Sequence, residues 1–291
     1  MRLAVKFAYD GSFFHGSQRQ SDDDPGSVEG RILAALRLVG AIPREGQHSV
    51  RISSRTDAGV SALGNVLSVD TEMSPDELLP ALNANLEGIW CLGYAAMRDA
   101  QNVRWANARW YRYHLLPGTV PSDRIGDLNE VLSVYIGNHD FVHLSRRDEE
   151  RGTETLIEQA RASDLSGSGE LVVIDLIGSR FLWNQVRRMV GAALRVLSGE
   201  MERSDLEELL SGAELDARLR DVRDRVPTMP PTGLVLMDVV YKDLEFIPHQ
   251  KALELACRRS EEDMWRSTVS VLIGSALRSM VIRSGPTGIR N

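Results

Sequence analysis

The sequence predicts an α+β fold of two ferredoxin-like halves, each a split β-α-β unit with an antiparallel sheet, flanking a central cleft and followed by a C-terminal helical appendage. Three observations predict it. Strand-like and helix-like periodicities follow one another as strand, helix, strand, strand, helix, strand up to Met97. The same order recurs between Ala108 and Tyr241 without any residue-level repeat, so only the architecture is repeated. Past Tyr241 the pattern turns helical. The expected units are residues 1–101, which carry the loop singled out below, residues 102–241, and a tail, 242–291, packed on the second half.

The first half opens with Leu3 to Tyr9, a strand by alternation, with Leu3, Val5, Phe7 and Tyr9 on one face. Asp10-Gly11 is a turn signal. Ser27 is placed to cap a helix with the apolar stripe Ile32, Leu33, Leu36 and Val39, which Gly40 ends. Gly30 stands where a capping-box carboxylate would, so the box is absent there. Two β-prone runs, Val50 with Ile52 and Val66 to Val69, then flank a polar loop. Ser74-Pro75 opens a second helix, with Leu78, Leu79 and Leu82 on its apolar side. Ile89 to Met97 is a further strand.

In the second half, Ala108 to Leu116 alternates as a strand, with Arg109, Tyr111, Tyr113 and Leu115 on one face, and Pro117-Gly118 breaks it. Ser122 precedes a helix with Ile125, Leu128, Val131, Leu132 and Tyr135 inward. Glu154 to Ala162 and Glu170 to Ile177 read as a strand pair across Ser166-Gly167-Ser168-Gly169. Phe181 to Leu197 reads as one amphipathic helix, buried through Leu182, Val186, Met189, Val190, Ala193 and Leu197. A short helix over Arg203 to Glu214 and a strand from Leu234 to Tyr241 complete the half. In the tail, Lys251 to Ser260 and Met264 to Ile282 are helical, the latter with a Met-bearing stripe of a kind more often used in packing than in binding.

Composition excludes several classes. A chain of 291 residues, 43% hydrophobic and 26% charged, has the makings of a real core. The two cysteines, Cys91 and Cys257, lie far apart and form no C-x-x-C pair, which argues against a zinc site or a disulfide framework. No signal-peptide pattern follows Met1, no apolar run is long enough for a bilayer, and a cytoplasmic protein is expected. The phosphate loop of the Walker type, the dinucleotide turn, the nucleophile elbow and H-E-x-x-H are all missing, so neither cofactor nor metal is expected. The net charge of −7 speaks mildly against a nucleic-acid partner, but its distribution does not. Val103 to Thr119 and Arg180 to Ser198 contain no acid and interleave arginines with Trp, Tyr and Phe, a pattern suited to phosphate neutralisation and base stacking.

The candidate for chemistry is the loop Arg51 to Gly64, with Asp57 at its centre, Arg55 two places before it and Gly59 two after. A carboxylate beside an arginine has its charged form favoured, and Gly59 allows a φ that other residues avoid. Such a loop can hold one carboxylate outward from a rigid strand pair. The competing reading is a hairpin whose Asp bonds its own turn.

Several short motifs, taken in order, resemble those of the tRNA pseudouridine synthase A family, archaeal branch. They are Tyr9-Asp10-Gly11, His15-Gly16, Gln18-Arg19-Gln20, Arg55-Thr56-Asp57-Ala58-Gly59-Val60, Asn83-Ala84-Asn85-Leu86, Tyr111-Arg112-Tyr113, Asp140-Phe141, Val186-Arg187, Val190-Gly191 and Gly233-Leu234. The resemblance spans about residues 3–241, and Arg-Thr-Asp-Ala-Gly-Val is its most specific part. It implies a homodimer, free of cofactor and metal, that isomerises uridine to pseudouridine in the anticodon stem-loop of tRNA near positions 38 to 40. It implies that Asp57 is the nucleophile, that Arg187 pairs with it, and that Tyr111 stacks on the flipped base or helps move a proton from the ring, two roles the sequence does not separate. Arg55 could share the role of Arg187 or contact RNA; RNA contact is expected. The sequence departs from the family pattern at Ser17, where many members have an aromatic, and at Ser54, Trp110 and Ser61. Two rival readings remain open on the residues: a non-catalytic RNA-binding module, and a small-molecule hydrolase using Asp57.

Overall fold

The computed structural model describes residues 1–21, 24–46, 48–146 and 152–259. In chain order the first six elements are β1 (Arg2–Tyr9), α1 (Val28–Leu38), β2 (Arg51–Ile52), β3 (Ser61–Asp70), α2 (Pro75–Asn85) and β4 (Ile89–Ala96). Then come β5 (Ala108–His114), α3 (Ile125–Leu132), β6 (Gly137–Asp140), β7 (Glu154–Asp164), β8 (Val172–Gly178) and α4 (Gln185–Ser198). The last are α5 (Arg203–Leu209), α6 (Ala217–Arg225), β9 (Leu234–Val240) and β10 (Ile247–Pro248). Local chemistry sets the helix starts. The Ser27 hydroxyl accepts from the Gly30 amide at the head of α1. Ser74 and Glu77 form a reciprocal capping box ahead of Pro75 in α2.

The α+β class holds, but the expected pair of sheets flanking a cleft is replaced by one ten-stranded sheet. Its order is β10-β4-β1-β3-β9-β5-β8-β7-β6, with β2 also on β3. The run β4-β1-β3-β2 and the run β9-β5-β8-β7 have the same split β-α-β connectivity. What joins them is a short parallel pairing, Ser61 with Val235 and Ala62 with Leu236. The other named pairings are antiparallel. One edge of β3 is therefore shared. β2 occupies it at Leu67 and Ser68, β9 at Ser61 and Ala62, and the loop between β2 and β3 leaves the sheet where one gives way to the other.

Helices pack on this sheet by their apolar stripes, through Val28, Ile32, Leu33 and Leu36 of α1 and Leu78, Leu79 and Leu82 of α2. In the second run α4 is buried through Val186, Met189, Val190 and Ala193, and the Tyr135 hydroxyl donates to the Met189 carbonyl at 2.7 Å. Three expectations need correction. The amphipathic pattern from Phe181 is helical only from Gln185, because Asn184 takes a left-handed conformation, φ 63°, that no α-helix continues through. The strand β6 and the helix α6 were not expected; both are short, and α6 buries only Leu219. The described part of the tail, expected on the second half, pairs with the first run of strands and also touches the second half, where the Lys242 amide donates to Asn107 Oδ1. β10 pairs with β4, and the buried Asn83 amide on α2 donates to the Ala252 carbonyl at 3.0 Å. The free edge of β4 and the unpaired donor of Asn83 are both satisfied by that placement. The Met264 to Ile282 stripe lies outside the described residues.

Candidate active site at the strand junction

Asp57 is placed by a loop with little freedom. The Ser17 amide donates to the Thr56 carbonyl at 3.0 Å, and the Thr56 amide donates back to Ser17 Oγ at 2.7 Å. Thr56 Oγ1 lies 2.7 Å from the hydroxyl of Tyr9 on β1. Asn65 of β3, fully buried, donates to the Ser54 carbonyl at 2.9 Å and accepts from the Ser54 amide at 3.3 Å and its own neighbour Val66 at 2.8 Å. Gly59 has φ +80°, and a Cβ there would lie 3.2 Å from Pro231 Cγ. A side chain at Gly11 would meet the Val60 carbonyl oxygen at 2.4 Å, so the turn after β1 lies directly on the loop's end. Together these contacts tie the loop to β1, β3 and the turns beside them, which hold a carboxylate in place better than the loop itself could.

The carboxylate faces α4. Arg187 Nη1 donates to Asp57 Oδ2 at 2.9 Å and to Asn184 Oδ1 at 3.2 Å, while its Nε donates to the Met229 carbonyl. The guanidinium is thus held on three sides. The Asp57 side chain keeps 30% of its surface exposed and that of Arg187 keeps 14%, so the pair is open to a ligand from the Asp57 side. Tyr111 on β5 is 7% exposed and packs edge-on against Phe181, with ring centroids 5.2 Å apart. Its hydroxyl has no hydrogen-bond partner among the described residues. Burial pushes the Tyr111 phenol well above the usual tyrosine range; nearby Tyr9 and Asp57 act in the same direction and Arg109 opposes them. The Tyr9 phenol is pushed up to about 12 by its own burial.

Of the four residues singled out from sequence, Asp57 and Arg187 are in contact, and Tyr111 is close enough to feel the Asp57 charge. Arg55 is apart: it is exposed and pairs with no acid among the described residues. The arginine that meets Asp57 is therefore not its sequence neighbour but one 130 residues on. Asn184, the Ser17–Thr56 clamp and the Met229 carbonyl had no sequence signal of their own. The arginine-aromatic stretches are also more structural than their composition implies. Arg112 forms a two-pronged pair with Asp175, at 2.9 Å for both Nε and Nη2, and Trp110 Nε1 donates to the same carboxylate. Arg109 bonds the carbonyls of Arg104, Ala106 and Ser179. No cluster of three or more His, Cys, Asp or Glu suited to a metal occurs among the described residues. None of their helices is long and apolar enough to cross a membrane.

Residues 131–242 match the family model described as tRNA pseudouridine synthase. The chain is 35% identical over 282 residues to the tRNA pseudouridine synthase A of Thermococcus kodakarensis, covering 95% of this chain and 99% of that one. It is 34% identical over 273 residues to that of Pyrococcus horikoshii, covering 93% and 96%. Over 296 residues it is 32% identical to that of Methanobrevibacter smithii, covering 97% of each. An α+β sheet with one clamped, arginine-paired carboxylate at its seam, together with these matches, defines an RNA pseudouridine synthase, an isomerase. The chain belongs to the tRNA pseudouridine synthase A family.

Proposed function

We propose that this protein converts uridine to pseudouridine in tRNA, at the anticodon stem-loop near positions 38 to 40, with Asp57 as the nucleophile and as part of a homodimer. The observation that carries the reading is the Asp57–Arg187 pair, partly exposed, with the Arg187 guanidinium also bonded to Asn184 and the Met229 carbonyl. The reaction breaks the bond between ribose C1′ and uracil N1 and makes one between C1′ and C5. The C5 proton leaves and N1 gains one, so atoms and electrons balance with no co-reactant. An ionised carboxylate can carry the separated fragment covalently, on the ring or on the sugar, while the base turns. Arg187 pairs with the carboxylate and keeps it aimed.

A uridine inside a stem must leave the stack to reach this carboxylate. Tyr111 is the surface for it to stack on. Burial favours its protonated phenol, which can pack against uracil and donate a hydrogen bond. Arg55, exposed and unpaired among the described residues, is suited to a backbone phosphate.

The test is nucleoside-resolved mapping of unmodified tRNA after incubation with purified protein. Asp57→Asn is expected to lower turnover by at least about 1000-fold while tRNA affinity stays within about threefold. Substantial pseudouridine from that variant sinks the assignment of the nucleophile. Binding by the unaltered protein with no new pseudouridine supports the non-catalytic alternative instead.

A further inference from the structure

One residue before Asn184, the partner of Arg187, stands a large aromatic side chain with nothing yet assigned to it. Trp183 immediately precedes Asn184, whose side chain holds Arg187, yet its indole is 50% exposed. Its backbone is fixed from two directions. The Arg146 amide donates to the Trp183 carbonyl at 2.8 Å in an isolated antiparallel bridge. The residues on either side of it and Asn184 are locked together, with the Leu182 amide donating to Gln185 Oε1 at 2.7 Å and the Gln185 amide donating to the Leu182 carbonyl at 3.1 Å. The Arg146 guanidinium lies over the indole, 4.2 Å from its centroid, and has no carboxylate partner among the described residues. The stretch Arg180 to Ser198 contains no acid.

A rigidly mounted, half-exposed indole usually finds a partner, because its apolar face is costly to leave wet and its conformational entropy has already been lost. The partner that fits an indole with a guanidinium over one face is a flat, π-faced group on the other face with a negative charge close by, which is the chemistry of a nucleotide. We propose that the face of Trp183 away from Arg146 is a stacking platform for an unpaired nucleobase of the RNA, next to the uridine that enters the Asp57 site, with the Arg146 charge supporting the adjoining phosphate. This deepens the tRNA reading and rests on it. Stacking is indifferent to base identity, so Trp183 contributes affinity and register and leaves the choice of base to the pocket.

Trp183→Ala and Trp183→Phe are compared with the unaltered protein on unmodified tRNA. Trp183→Ala is expected to raise KM about 5- to 100-fold with kcat within about threefold, and Trp183→Phe to raise it much less, since a phenyl ring still stacks. Adding tRNA is expected to quench an indole emission component that Trp183→Phe lacks. A KM for Trp183→Ala within twofold of the parent overturns the proposal. So does equal loss in the two variants, which would mean a packing role under Arg146. Failure of the unaltered protein to form pseudouridine in tRNA strikes the parent reading instead, and is seen in a separate arm.

Discussion

Asn184 is the one described residue other than glycine with a positive φ, 63°, and its side-chain oxygen shares Arg187 Nη1 with Asp57. Backbone strain held beside a charged pair is usual where geometry matters to chemistry. Three substitutions separate its two roles. Asn184→Gly keeps the backbone conformation and removes the acceptor; it is expected to leave stability within about 0.5 kcal/mol and to lower kcat roughly 5- to 10-fold through a looser Arg187. Asn184→Ala loses both and is expected to cost about 1 kcal/mol more in stability than the glycine variant. Asn184→Asp supplies a second carboxylate that competes for the guanidinium, so its kcat loss should exceed that of Asn184→Gly. Thermal unfolding and single-turnover rates on tRNA read the two effects separately, and equal kcat for Asn184→Gly and the parent would end the positioning role. At this scale the sequence is legible where a residue sits in a tight motif, as Asp57 does. Adjacency misleads elsewhere. Arg55 stands two places from Asp57 in the chain and makes no pair with it, while Arg187 reaches it only because β3, β9 and α4 come together in space. Arg187 was foreseen through resemblance and not through spacing.

Elements were legible where their chemistry is local. The Ser74-Pro75 start of α2 is written in three side chains, and the Ser27 cap of α1 in one. The start of α4 was not, because Phe181, Leu182 and Trp183 continue its apolar and aromatic pattern while the left-handed turn at Asn184 is a backbone fact. Strand β1 is buried on both faces, so the alternation used to find it is weaker than the strand itself. Helix α4 also carries a contact that propensity would mispredict. Gly191 lies mid-helix, where Ala is ordinarily favoured by about 1 kcal/mol. A Cβ there would come within 2.3 Å of the Pro227 carbonyl oxygen, which is backbone and cannot swing aside. Gly191→Ala is therefore expected to destabilise the protein by about 1 to 3 kcal/mol, against its helix propensity. It should also lower activity, because residues 227–229 carry the Met229 carbonyl that holds Arg187. Chemical denaturation measures the first effect; a variant more stable than the parent would show that α4 and the 227–233 segment are not in close contact.

At the scale of the molecule, the least legible feature is the seam. Two residue pairs of parallel sheet, Ser61–Val235 and Ala62–Leu236, leave no periodicity in a sequence, yet they turn two sheets into one and put the Asp57 loop where they meet. Buried tyrosines reinforce the same region. Tyr9 reaches Thr56, and the Tyr241 hydroxyl donates to Ser53 Oγ at 2.9 Å, tying the chain just past β9 to the catalytic loop. Burial pushes the phenols of Tyr9 and Tyr241 up to about 12, and those of Tyr111 and Tyr135 higher still. In the unfolded chain these groups ionise near pH 10. Below that value both states are protonated and the full stability is present. Between about pH 10 and 12 the unfolded chain loses protons that the native state retains, so stability falls by roughly 1 kcal/mol per pH unit per tyrosine. Tyr9→Phe provides the check. At pH 8 it should be less stable than the parent, having lost the bond to Thr56, and by pH 11 the gap should shrink by about 1 kcal/mol because one ionising group is gone. Unfolding curves for the two proteins that stay parallel from pH 8 to 11 would mean that the Tyr9 hydroxyl titrates freely in the folded state, and that the floor beneath the Asp57 loop is wet rather than sealed.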